Sequence, residues 1–152
     1  MALPNIFQSE IGEQVISRIE KLTPQSQPLW GKMNVAQMLA HCNVTYEMSL
    51  EDKHPKPGAF ARFLLKAFVK STVVNEVPYK KNSRTAPAFL IVDQRDFNRE
   101  KERLTNYIRK VCQMGEQAFE GRDAHSFGPM TAKEHNNMFY KHLEHHLSQF
   151  GV

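Results

Sequence analysis

Residues 131–150 read TAKEHNNMFYKHLEHHLSQF, and this stretch decides the fold. Thr131, with Glu134 three residues later, is a capping box that starts a helix. Phe139, Leu143, Leu147 and Phe150 then recur at three- and four-residue steps, the spacing of one buried stripe on that helix. Four histidines share the segment: His135, His142, His145 and His146. At about 100° per residue, His142 and His146 differ by about 40° and lie about 6 Å apart along the axis, so they occupy one face at the edge of the stripe. His145 is rotated away and is expected at the surface.

Moving outward, the same period fills most of the chain. Gln8 to Leu22 carries Ile11, Val15, Ile16, Ile19 and Leu22 along one stripe, and Thr23, Pro24 and Pro28 end it. An extended stretch holds Trp30. Asn34 can cap a second helix that runs to about Leu50 with Val35, Met38, Leu39 and Cys42 inward. His54, Pro55, Pro57 and Gly58 form a turn. Asp93 to Phe119 is a long charged helix with Phe97, Leu104, Tyr107, Ile108, Val111 and Met114 inward, and Gly121, Gly128 and Pro129 close that region.

Ala59 to Val74 is apolar, with Arg62, Lys66 and Lys70 four apart. A membrane-surface helix has this pattern, and so does a bundle helix with one solvated basic edge. The ordinary core spacing favours the bundle helix. Asn75 to Ile91, broken by Pro78 and Pro87, is a loop, and long loops are often functional. Four main helices and a shorter fifth, joined by modest loops with little strand signal, imply an all-α, up-down four-helix bundle with an additional short helix, one domain over residues 1–152.

Bulk properties narrow the function classes. The chain has 152 residues, enough for one core without staples. Hydrophobic residues at 41% and charged residues at 24% exclude a disordered chain. The net charge of +4 is spread out, with one short run at Lys80 and Lys81, so no nucleic-acid partner is expected. Cys42 and Cys112 make neither a disulfide framework nor a zinc ribbon. No charged and apolar leader occupies Met1 to Glu10, and no stretch approaches the roughly 20 apolar residues of a membrane span. The expectation is a cytoplasmic protein with no membrane partner.

Two histidines seldom hold a metal ion alone. The best third ligand is His41, mid-way along the second helix beside Met38 and Cys42, whereas His54 sits in a turn and His125 in a loop. Facing helices of a bundle core are a known frame for such a site. On spacing alone, boundary histidines without a metal are a standing alternative.

Trp30 to His41, WGKMNVAQMLAH, resembles the second-helix motif of the DinB/YfiT-like superfamily, and Tyr140 to Gly151, YKHLEHHLSQFG, resembles its closing motif, in particular that of a branch of uncharacterised bacterial proteins. The resemblance runs from the Trp30 segment to the end of the chain. It implies an up-down four-helix bundle with a divalent metal ion, zinc, nickel or similar, held by His41, His142 and His146. It also implies that Gln149 lines or braces the site. His135 stands where that branch would carry a large aromatic; about 10 Å from His142 along the helix, it is too far to share the ion and is expected at the cavity mouth.

Three neutral imidazoles leave open coordination positions, the pattern of a catalytic site. The resemblance points to a metal-dependent enzyme of thiol-transferase or hydrolase type, with a small-molecule substrate and a low-molecular-weight thiol as cofactor; a homodimer is compatible with it. The alternatives are a non-catalytic or stress-related bundle in which the metal is structural, and a helical interaction protein without metal. No general base stands out. Glu47 lies about 120° around the helix from His41 and faces away. Thr45 and Tyr46 are candidates to contact the ligands or the substrate, with helix packing the plainer role for both. Cys42 points about 100° from His41.

Overall fold

The computed structural model describes residues 2–152, which are mostly helical. Among them are six α-helices: α1 (Ser9–Glu20), α2 (Val35–Leu50), α3 (Ala59–Phe68), α4 (Lys70–Val74), α5 (Phe97–Met114) and α6 (Ala132–Gln149). One small antiparallel hairpin pairs β1 (Asp123–Ala124) with β2 (Gly128–Pro129). No helix among the described residues is long and apolar enough to cross a membrane.

Local chemistry sets the helix ends. The Asn34 side chain accepts from Gln37 N, and Gln37 Oε1 in turn accepts from Asn34 N, so α2 starts on a full capping box. Thr131 and Glu134 do the same for α6. Asp96 caps α5 by accepting from Arg99 N. The long charged helix ends at Met114 rather than Phe119: Gly115 takes φ +74°, and only a 3-10 turn, Glu116–Phe119, follows.

α1, α2, α5 and α6 surround one core. α2 lies deepest, with Val35, Met38, Leu39, Cys42 and Tyr46 all buried. Val15, Ile16 and Ile19 come from α1, Leu104, Ile108 and Val111 from α5, and Phe139, Leu143 and Leu147 from α6. The Tyr46 ring stacks between Phe139 (4.9 Å between centroids) and Tyr107 (5.7 Å). Burying one such large side chain contributes about 1.5–3 kcal/mol. Arg18 ties α1 to α6 through Glu144 at 2.5 Å and the Val152 carbonyl at 2.7 Å.

Residues 59–74 depart from the bundle-helix expectation. The helix breaks at Val69 into α3 and α4, and neither piece buries a residue. From Glu51 to Arg99 no side chain is fully buried, so this long excursion lies outside the core. It is pinned back at several places. Arg62 reaches Asp123 and the Ala124 carbonyl. From α6, Asn137 donates to Val74 O, and Lys141 donates to Thr72 O and to the carbonyl and side chain of Asn75. These α6 side chains satisfy carbonyls at the open end of α4.

Candidate metal centre

The expected trio comes together. His41 from α2 and His142 and His146 from α6 place ring nitrogens within 4.8 Å of one another, the one such group of three or more potential ligands among the described residues. His41 Nε2 and His142 Nε2 are 2.9 Å apart. The ring centroids of the three pairs lie 4.5–4.9 Å apart.

The outer nitrogen of each ring is occupied. His41 Nδ1 lies 2.8 Å from Phe89 O and must donate to that carbonyl. His146 Nδ1 lies 2.8 Å from Gln149 Oε1. Gln149 Nε2 donates to Trp30 O at 2.7 Å, which fixes the amide and makes its oxygen an acceptor for His146. His142 Nδ1 is 2.9 Å from Thr45 Oγ1, a partner that can donate or accept. The Nε2 atoms of His41 and His146 are therefore bare acceptors in the neutral rings, and both face the cluster. The 2.9 Å gap between His41 Nε2 and His142 Nε2 needs a positive charge or a proton between two nitrogens. His142 Nε2–H fills it if Thr45 donates to Nδ1; a cation fills it if Nδ1–H donates to Thr45.

Electrostatics favour the ligand form. Burial lowers the pKa of His41, against the raising effect of its hydrogen bond to Phe89. Burial, with His146, His41 and His145 nearby, holds His142 well below the ordinary imidazole value. Burial and His41 bring His146 down to about 3. Three neutral imidazoles, each oriented by a hydrogen bond on its far nitrogen, match the donor set of a divalent transition metal. Metal–nitrogen bonds of about 2.0–2.1 Å put neighbouring ligands roughly 2.9–3.4 Å apart, a range that includes the closest pair here. The three histidines could hold a metal ion, with the wider separations, up to 4.8 Å, closing around it.

The sequence locates the brace from α6, and Gly31 explains how it closes. Gly31 has φ +85°, and a Cβ there would meet Gln149 Nε2 at 2.5 Å. Only glycine lets the Trp30–Gly31 backbone pass so close. Thr45 supports His142 rather than merely packing, while Tyr46 is a core residue. Phe89 was not foreseen. It sits in a 3-10 turn, Pro87–Phe89, whose ring lies 5.4 Å from His41 and 5.9 Å from His142. The long loop was the available signal, but a backbone carbonyl carries no side-chain mark in a sequence.

The other histidines sort differently from expectation in two cases. His135 is not at a cavity mouth. It is buried against Phe119 and Phe139, with Nε2 donating to Arg122 O at 3.2 Å. His145 is half-buried, edge-on to Trp30 and Tyr79 at 5.9 and 5.8 Å. His54 bonds Glu47, and His125 bonds the His54 and Pro55 carbonyls. Glu47 is engaged by Arg103 and His54, away from the cluster. Cys42 is buried beside Met38, and burial pushes its thiol far up, which removes a thiolate nucleophile at neutral pH.

The chain matches the family described as a protein of unknown function, DUF1569, over residues 5–151, and belongs to it. No curated protein and no solved structure matches the chain.

Proposed function

We propose that this chain, as a member of the DUF1569 family, holds one divalent transition metal ion on His41, His142 and His146 and acts as a metal-dependent enzyme of thiol-transferase or hydrolase type on a small molecule. One observation carries the reading: the ring nitrogens turned toward the cluster have no protein donor other than one another, while every outer nitrogen is held. Zinc and nickel both suit imidazole ligands. Three protein ligands leave open positions, as catalytic zinc sites do. Such an ion supplies a Lewis acid that lowers the pKa of bound water toward about 7 or holds a thiolate.

The protein's own part is orientation and exclusion. Phe89 O, Thr45 Oγ1 and Gln149 Oε1 fix the planes of the three rings. Burial keeps the rings neutral at pH 7 and so able to bind. The Phe89 ring packs against His41 and His142 on one side of the cluster. No carboxylate of the chain is assigned as general base. Packing among α1, α2, α5 and α6 supports an up-down four-helix bundle of the DinB/YfiT-like kind. The resemblance of the closing motif to that superfamily is what points to a low-molecular-weight thiol as the partner molecule. Two free cysteines suit a reducing cytoplasm.

A second reading is a metal that only stabilises the fold. It is favoured by the burial of His41 and His146, which limits access to an ion held there.

Cobalt(II) separates the readings. The enzyme reading expects one equivalent of cobalt to bind and a small thiol to add a thiolate-to-cobalt absorption band. A closed structural site takes up cobalt but shows no change with thiol or with hydrolysable esters. Absence of cobalt uptake by the wild-type chain would overturn both.

A further inference from the structure

α3 is amphipathic with its apolar side turned outward. Phe60 is 76% exposed, Phe63 65% and Phe68 75%, with Leu64 also exposed. On a helix, Phe60, Phe63, Leu64, Ala67 and Phe68 fall within one arc of about 140°. Leu65 lies outside that arc and packs on the body of the protein, against the cluster of Ala124, Phe127 and Met130. Arg62, beside it, is tied to Asp123. The helix is thus held by its narrow side while its aromatic face is unpartnered. Three phenylalanines at these exposures leave roughly 300–500 Å² of apolar surface, the size that marks an interaction site.

Charge is concentrated in the same excursion. Residues 53–92 hold eight lysines and arginines and one acid, Glu76, a net of +7, whereas the whole chain is +4 and the remainder therefore −3. Some of these cations are neutralised by acids elsewhere: Lys56 and Arg62 by Asp123, and Lys70 by Glu134. Lys66, Lys80 and Arg84 are exposed, while Lys81 lies over the Trp30 ring, 4.2 Å from its centroid. A second copy seated symmetrically on this face would set like charges against each other. An anionic surface would complement them and accept the phenylalanines.

We propose that α3 docks on an anionic lipid surface, its phenylalanine face entering the headgroup boundary and Lys66, Lys80 and Arg84 meeting lipid phosphates. A helix with an aromatic face flanked by basic residues is built to lie in an interface, and each basic residue adds to the attraction of an anionic leaflet. The inference stands apart from the metal centre, since none of these residues touches the three histidines.

The test is co-sedimentation of the full chain with vesicles. One set is neutral phosphatidylcholine, and the other contains about 30% phosphatidylglycerol, an anionic content at which basic segments are attracted. The expected result is binding to the anionic vesicles, weakened several-fold by raised salt, with little binding to the neutral ones. A Phe60→Ser, Phe63→Ser, Phe68→Ser variant should bind at least about tenfold less. It should keep the wild-type helical signal, because these side chains are already in water. Lys66→Glu with Lys80→Glu and Arg84→Glu should remove the preference for anionic vesicles. Three results would overturn the proposal: wild-type chain left in solution by both vesicle sets, unchanged binding by the phenylalanine variant, or a wild-type dimer that this variant converts to monomer without any vesicle binding.

Discussion

Two helices of this protein carry apolar stripes of similar make-up and meet opposite fates. α6 turns Phe139, Leu143 and Leu147 into the core and sets His142 and His146 at the stripe's edge, where α2 closes over them. α3 turns Phe60, Phe63 and Phe68 to the outside and grips the protein with Leu65 and Arg62. Periodicity locates both stripes but does not say which way they face. Direction comes from neighbours: α6 has α1 and α2 alongside, whereas α3 packs on α4 and, through Leu65 and Arg62, on the segment from Asp123 to Met130. One region is saturated with internal partners; the other presents its apolar surface outward.

The largest test of that contrast replaces one phenylalanine on each side. Phe139→Ala empties a core position between Tyr46 and Phe119, and a loss of about 3–5 kcal/mol in denaturant unfolding is expected. Phe63→Ala should change stability by no more than about 0.5 kcal/mol. Similar losses for both would mean that α3 is packed in solution and would break the comparison.

Metal linkage comes next. Zinc at 100 times its dissociation constant should stabilise the wild-type chain by about 2.7 kcal/mol in thermal unfolding and leave a His142→Ala, His146→Ala chain unchanged. Gly31→Ala sharpens the account of the brace. Its backbone lies at φ +85° and its Cβ would press on Gln149, so a cost of about 1–3 kcal/mol is expected. Weaker zinc binding should accompany it. Thr45→Val should leave the fold intact and reduce metal affinity about 10–100-fold by titration, the effect of losing a group that orients a ligand.

The smallest expected effect concerns pH. Burial lowers the pKa of His135, and the hydrogen bond to Arg122 O only partly opposes this. The unfolded chain then binds a proton near pH 6.5 that the folded chain refuses, so stability falls as pH drops below about 6.5. His135→Phe should flatten part of that fall in denaturant curves taken at pH 7 and pH 5. An unchanged slope would show that His135 does not contribute.

Much of this was legible in the sequence because helix periodicity and caps are local. Asn34 and Thr131 announce the starts of α2 and α6, and the histidine trio that the structure brings together follows from a four-residue step plus one inward histidine on another helix. What was not legible depends on contacts distant in the chain. The Phe89 carbonyl reaches His41 across 48 positions. The hairpin at Asp123 to Pro129 rests on two-residue strands too short to leave a pattern. The long helix ends early because Gly115 adopts a left-handed backbone that glycine permits but does not require. The outward face of α3 is set by what does not pack beside it.

The most direct measurement is the metal content of untagged protein purified without a metal column, beside the His142→Ala, His146→Ala chain. The account predicts about one divalent ion per wild-type chain, or uptake of one equivalent of added zinc or nickel, and none in the variant. A wild-type chain that carries no metal and takes up neither ion, or a variant that binds as well as wild type, would contradict it.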